Sequence, residues 1–307
     1  MTPDEAIDAV YLWVDGAAIA GRPATLAPHR DRDNGELRYS LRSLFAHAPW
    51  VRRVFLVTNG QRPAWLVQSH PRLRVVSHAD LFLDEACLPT FNSNAIELQL
   101  HRIPGLSRRF LYCNDDVFFG GPVVPELFQH PDGVPWPLLD GIEVPRNHDA
   151  GLVHDRAYAY SQRVAAPGWE PPPIPSLPPH CPQLYDREVL AEIERALPAE
   201  HARTSAQRIR SPDDLVMRIL HGRHVLAGRT EPRTVLRESS NEYCFVQIRN
   251  STFDAARRLL RILRLRPRLF CINDDVDKAF GPRLLLRTLP VLLEHMFPTP
   301  SPFEADL

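Results

Sequence analysis

The chain has 307 residues, enough for a large core in one or two domains, and 44% hydrophobic with 24% charged residues is the balance of an ordinary water-soluble fold. Its 36 basic and 37 acidic side chains leave a net charge of −1, which excludes coating of nucleic acid or anionic membrane by bulk charge. Five scattered cysteines without a C-x-x-C pair exclude a zinc ribbon, a redox pair and a disulfide framework. Lys278 is the only lysine, so 35 of the 36 basic residues are arginine. Arginine offers a rigid fork of donors to phosphate or carboxylate but cannot shuttle protons.

The first nine residues carry Asp4, Glu5 and Asp8 and no basic segment, so they do not resemble a signal peptide. The apolar run 7–14 reads as a buried strand ending in the turn Asp15-Gly16, and 17–34 as a loop. Residues 36–48 have helical spacing, with Leu37, Leu41, Leu44 and Phe45 on one face. Strands are predicted over 51–58, before the turn Asn59-Gly60, and over 73–77. A helix is predicted over 92–103, and a strand over 109–113 that runs into Asn114-Asp115-Asp116.

Prolines then dominate: 14 of the 31 lie between Pro122 and Pro182, which predicts an irregular excursion or lid over 122–178, not a regular helix. Helices resume over 186–197 and 212–221; the latter opens on Ser211-Pro212-Asp213-Asp214, a helix-start quartet that explains both acids as caps. A strand over 268–272 meets Asn273-Asp274-Asp275, and a helix spans 280–296 with Pro290 inside it. The stretch 284–297 is broken by Arg287, Pro290 and Glu294 and is too short to span a bilayer. Strands alternating with helices predict an α/β fold with a mostly parallel sheet. The expected organisation is one catalytic domain, with 1–121 and 179–307 as its core.

Two junctions match. FLYCNDDV at 110–117 and LFCINDDV at 269–276 are both apolar strands ending in N-D-D-V. Adjacent carboxylates repel unless solvated or neutralised, and a divalent cation with oxygen ligands is the usual partner. Ligands in open α/β sheets collect at the carboxyl ends of strands, where Asp15 also falls. One such junction is adequately explained as a turn; two with the same flanks favour a metal or diphosphate site. His180, between Pro179 and Cys181-Pro182, is suited to general-base work near neutral pH, although local sequence favours a structural histidine. Arg38 and Arg42 share a helix face, and Arg210 precedes a helix start, a natural anion site. No P-loop, G-x-G-x-x-G, G-x-S-x-G or H-E-x-x-H occurs, so kinase, Rossmann, serine hydrolase and zincin readings lack their signatures.

Taken in order, four blocks resemble the stealth-type sugar-1-phosphate transferases, which include bacterial capsular polysaccharide phosphotransferases and the catalytic subunit of the animal lysosomal-enzyme N-acetylglucosamine-1-phosphotransferase. The blocks are 7–16, then 36–66 continuing through 88–120, then 179–194 with 208–215, and finally 271–304. The resemblance implies a glycosyltransferase-A-like core with a mostly parallel mixed sheet. It implies transfer of a hexose- or N-acetylhexosamine-1-phosphate from a UDP-sugar to a glycan hydroxyl, with UMP released, in capsule or cell-surface polysaccharide synthesis.

By position, the resemblance makes His180, Asp115 and Arg210 catalytic, with His180 as base. On the same basis Asp8, Glu97 and Asn114 would bind substrate and Asp116, Asn273, Asp274 and Asp275 would hold Mg²⁺ or Mn²⁺; Arg38, as a second phosphate-binding arginine, and Asn59 join the expected substrate-binding residues without being part of that match. The expected location is cytoplasmic, or peripheral at the inner face of the membrane if the acceptor is lipid-linked, with no transmembrane segment and no nucleic-acid partner. Much of 123–178 matches no block, and acceptor specificity is expected there. Two rivals share the fold: a metal-dependent glycosyltransferase releasing UDP and a non-catalytic glycan-binding protein. A metal phosphodiesterase using water as acceptor is a third.

Overall fold

The computed structural model describes residues 6–16, 32–149, 151–164, 174, 176–227, 241–249, 251–276 and 280–305. Lys278, most of the loop expected over 17–34 and part of the proline-rich excursion lie outside the described residues. The chain forms β1 (Ile7–Leu12), α1 (Glu36–His47), β2 (Val54–Thr58), β3 (Leu73–Ser77), α2 (Ser93–Glu97), β4 (Arg109–Asn114) and β5 (Val117–Phe119). It continues with α3 (Val153–Arg163), β6 (Gln183–Asp186), α4 (Arg187–Ala196), α5 (Pro198–Ala206) and α6 (Met217–Leu226). It ends with β7 (Tyr243–Ile248), α7 (Thr252–Leu265), β8 (Leu269–Asp274) and α8 (Phe280–Met296).

Two sheets carry the molecule. The first has the order β3-β2-β1-β4-β6, parallel from β3 to β4, with β6 antiparallel on β4. This is the mixed, mostly parallel α/β architecture expected. β1 and β2 are buried nearly throughout, as strands covered on both faces must be. The second sheet has the order β5-β8-β7, with β5 antiparallel and β7 parallel to β8. The chain passes from one sheet to the other through the turn Asp115-Asp116, which joins β4 directly to β5.

Helix α1 fastens that turn. Its apolar face buries Leu37, Leu41 and Leu44 at helical spacing, each contributing about 1.5–3 kcal/mol. Its polar edge reaches β5: Ser40 Oγ donates to the Val117 carbonyl, and Ser43 Oγ accepts from Phe119 N at 3.0 Å. Gly35 starts the helix at φ 85°, a conformation that favours glycine. The C-terminal tail is locked to the same helix. Buried Arg42 binds Glu304 through Nε and Nη2, both at 2.8 Å, and Glu294 through Nη1 at 2.9 Å.

Three expectations are corrected. The helix expected over 92–103 ends at Glu97, because Gln99 turns its amide back onto the Ala95 carbonyl and a tighter turn follows. The quartet 211–214 forms a turn, and helix α6 begins only at Met217. There Asp214 is fully buried and accepts from Asn92, Asn94 and the Ser211 backbone, so long-range bonds replace the cap. The proline-rich excursion also contains a regular helix, α3, in the proline-free interval between Pro145 and Pro167. Among the described residues no helix is long and apolar enough to cross a membrane.

Candidate active site

The carboxyl ends of β1, β2 and β4 open onto one edge. Gln61 laces the first two, accepting from Asp15 N at 2.9 Å and donating to the Asp15 carbonyl at 3.0 Å. Asn59 stands in the same loop, its Oδ1 accepting from Gln61 N. Asn114 ends β4 and accepts from the Tyr112 hydroxyl at 3.0 Å. Asp115 and Asp116 follow, both half-buried.

The two N-D-D junctions meet here. Val117 of β5 pairs with Cys271 of β8, and Ile272 N donates to the Asp116 carbonyl at 3.0 Å. Asp116 Oδ2 accepts from Asn273 Nδ2 and from the Cys271 thiol, both at 3.3 Å. Its other oxygen, Oδ1, is buried without a hydrogen-bond partner. Burial and the charges of Asp116, Glu36 and Asp33 raise the Asp115 carboxyl well above the usual carboxylate range. Glu36 itself is buried and pushed up to about 7, against hydrogen bonds from the Asn34 backbone and side chain. Burial also raises Asp33, despite bonds from Gly35 N and Trp13 Nε1.

So many carboxylates at one turn, with one buried oxygen unsatisfied, fit a divalent cation. Among the described residues no three carboxylate, imidazole or thiol groups form a ready metal-ligand set. A cation held here would take one or two of these carboxylates and fill its shell with water and phosphate oxygens.

The second junction's side chains have other partners than expected. Asp274 forms an ion pair with Arg32 at 2.7 Å, while its Oδ1 accepts from Val276 N. Its charge is thus neutralised by protein. Asn273 orients Asp116, and Asp275 accepts from Gln247 at 2.9 Å with Arg249 at 3.5 Å.

His180 lies within electrostatic range of Asp116. Its ring stacks on Phe245, with centroids 5.0 Å apart, and its carbonyl accepts from the Tyr243 hydroxyl. Burial lowers its pKa below the ordinary 6.5; nearby Asp116 opposes the shift, and Arg210 and His154 reinforce it. The imidazole is therefore neutral at neutral pH, the form a base requires.

Arg210 comes from the segment 208–214, which is tied to the start of α2. Phe91 N donates to the Arg208 carbonyl, and Arg210 Nη2 donates to Ser93 Oγ at 2.7 Å. Glu97, at the end of that helix, is 7% exposed. Burial raises its carboxyl, while Arg218, the Tyr112 hydroxyl and Arg210 pull it back. Burial lowers the Arg218 guanidinium, which Glu97 helps keep charged.

Asp33, Glu36 and Arg218 escaped the sequence reading. The acidic entry Asp33-Asn34-Gly35-Glu36 was its own signal but looked like a loop and a helix start. Arg218 carried none: it is one arginine among 35.

Two expected residues lie elsewhere. Asp8 pairs in register with Phe110, whereas Leu12 pairs with Asn114, so Asp8 sits four residues, roughly 13 Å, back along the strand. Its buried carboxylate takes Arg52 Nε at 2.8 Å, Arg52 Nη2 at 2.6 Å and Ser107 N at 2.8 Å. Arg38 spends its Nε on Glu304. Hydrogen bonds and electrostatic influence link Glu97, Asn114, Asp115, Asp116, His180 and Arg210, whereas Asn59 stands in the loop after β2 and Asp8 in a structural pair.

Beside His180 opens a cavity of about 470 Å³, with Arg218 in its wall.

Models of Stealth protein conserved region 2, conserved region 3 and conserved region 4 match residues 30–136, 179–227 and 260–307. An exopolysaccharide phosphotransferase of Streptomyces coelicolor is 40% identical over 97% of this chain and 52% of its own length. The exopolysaccharide phosphotransferase CpsY of Mycobacterium tuberculosis is 34% identical over 97% of this chain and 58% of its own. The chain thus spans about half the length of these relatives. Among solved structures, a galactosyltransferase LgtC complex with donor and acceptor sugar analogs aligns over 96% of this chain and 98% of that one, at 13% identity and a TM-score of 0.45.

Proposed function

The chain belongs to the Stealth family, and from that premise we propose that it transfers a sugar-1-phosphate from a UDP-sugar to a hydroxyl of an acceptor glycan, releasing UMP, in cell-surface polysaccharide synthesis. One observation carries the reading. Asp115 and Asp116, then His180 and Arg210, then Asn273 come from three separately matched segments and converge on one site. The names of the relatives, exopolysaccharide phosphotransferases, agree with it.

In the proposed reaction the acceptor hydroxyl attacks the sugar-side β-phosphorus of the donor. An unprotonated ring nitrogen of His180 takes the hydroxyl proton. The bond between the β-phosphorus and the bridging oxygen breaks, and UMP leaves with that oxygen. Arg210 and Arg218 stabilise the phosphoryl oxygens, a role suited to forked, permanently charged donors. Glu97 lies within electrostatic range of both guanidinium groups and partly balances their charge. Asp115 and Asp116 would hold Mg²⁺ or Mn²⁺, which supplies charge neutralisation at the diphosphate. Asn59 and Asn114 stand at the strand edge where the donor would lie. A UDP-sugar donor places the reaction in the cytoplasm, with a lipid-linked acceptor drawing the chain to the inner face of the membrane.

The test is incubation with a panel of UDP-sugars, Mg²⁺ or Mn²⁺ and candidate glycans, read by phosphorus NMR and mass spectrometry. UMP and a new phosphodiester are expected. UDP release with a glycosidic product would instead identify a glycosyltransferase.

A further inference from the structure

The cavity beside His180 has an unusual provenance. Only His180 and Arg218 in its wall come from segments that the family models match. One side is built by the proline-rich excursion, through Asp140, Ile142, His154 and Tyr158. The other is built by β7 and the first turns of α7, through Tyr243, Phe245, Arg249 and Arg258. Both sides fall between the matched segments, within 137–178 and 228–259. The groups proposed for chemistry come from inside those segments. Chemistry and cavity thus meet at His180 and Arg218, both in the wall, with Asp116 and Arg210 acting on His180 electrostatically.

The composition of the wall points to a ligand class. A volume of about 470 Å³ is within the range of small-molecule sites. Three aromatic rings, Tyr158, Tyr243 and Phe245, suit the apolar C–H face of a sugar ring. The charged groups balance: Asp140, Asp155 and Asp254 stand in the wall with Arg218, Arg249 and Arg258, and Arg258 binds Asp254 at 2.9 Å while His154 faces Asp155 at 3.3 Å. A wall without surplus positive charge selects hydroxyls rather than a phosphate, and its carboxylates and guanidiniums are strong partners for hydroxyls.

We infer that this cavity is the acceptor subsite, which seats the terminal neutral sugar ring of the acceptor and presents one hydroxyl to His180. The inference rests on the reading of His180 as the base. It assigns acceptor choice to the excursion and to β7–α7, with His180 and Arg218 at the boundary between this cavity and the groups proposed to handle the donor.

The probes are methyl glycosides of glucose, galactose, mannose and N-acetylglucosamine, tested on the full chain by saturation-transfer NMR. Ile142 is 60% exposed and the His154 side chain 40%, so Ile142→Trp and His154→Trp can fill the cavity without disturbing the core. At least one glycoside is expected to bind and to lose tenfold or more in affinity in both variants, with UDP affinity by calorimetry within twofold. A diazirine-bearing version of that glycoside should label peptides 137–163 and 241–258 in the unmodified chain, a readout that needs no variant. Absence of binding by every glycoside, binding unchanged in folded filled variants, labelling elsewhere, or parallel loss of UDP would each overturn the assignment. Release of UDP in place of UMP would sink the phosphotransfer reading and leave these binding results untouched.

Discussion

Asn273 donates a 3.3 Å hydrogen bond to the carboxylate of Asp116, so two N-D-D junctions far apart in the chain form one arrangement. The bond engages Oδ2 and leaves Oδ1 buried and unpartnered beside Asp115. A carboxylate held by one oxygen presents the other at a fixed angle, as outer-shell partners of metal ligands commonly do. Asn273→Ala is expected to raise the Mg²⁺ or Mn²⁺ concentration needed for half-maximal turnover by about 10–100-fold. Metal titration of the rate, with metal binding measured by calorimetry, checks it.

His180→Ala should lower turnover by about 10²–10⁴-fold, the usual contribution of a positioned base. The pH profile gives a finer test. Burial lowers the pKa of His180, so the base form persists into acid and the acidic limb of the rate should lie below pH 6.5. His154 adds to that lowering. Removing it by His154→Ala should move the limb upward. A limb that stays in place in His154→Ala would count against His180 as the titrating base.

Arg218→Ala is expected to cost on the order of 10²–10³ in turnover, the scale for one preorganised charged group in a site. The same change leaves Glu97 buried with Arg210 and Tyr112 as its remaining compensation. Arg218→Lys should recover little, because an ammonium lacks the planar fork. Steady-state kinetics beside a thermal melt separate lost chemistry from lost fold.

Asp8 and Arg52 give the opposite pattern. Arg52→Ala would leave a fully buried carboxylate with only Ser107 for support, at a cost of about 3–5 kcal/mol. Denaturant unfolding should show that loss, while turnover of the folded fraction stays near wild type. A normal stability with abolished turnover would return Asp8 to the site.

Glu36 ties stability to pH. Its folded-state pKa, about 7, lies above the ordinary 4.5, so the folded chain binds the extra proton between those values. Stability of the metal-free chain should therefore fall as pH rises from 4.5 through 7. Glu36→Gln removes the buried charge and should raise Tm by a few degrees at pH 8 but not at pH 4. Melting curves at the two pH values decide it.

Much of the architecture was legible before folding. The runs IDAVYL and VFLVT read as buried strands because strands covered on both faces carry no polar alternation. Leu37, Leu41 and Leu44 marked α1, and 280–296 marked α8 at its observed bounds. Local bonding defeated the reading elsewhere. Gln99 stopped a helix that periodicity would have continued, and Asp214 turned inward to Asn92 and Asn94 where the quartet 211–214 promised a cap.

The sequence by itself determined that carboxylates stand at strand ends, because apolar runs ending in N-D-D are a local pattern. Tertiary structure alone decided what each carboxylate does. Asp274 is neutralised by Arg32, which lies far away in sequence, whereas Asp116 keeps a buried oxygen without a partner. In the sequence the two junctions read alike. They differ because the β5–β8 pairing brings one next to the other, and ionic partners are chosen by distance in space rather than distance along the chain. The same holds for Arg218, one arginine among many until the fold half-buried it within electrostatic range of Glu97.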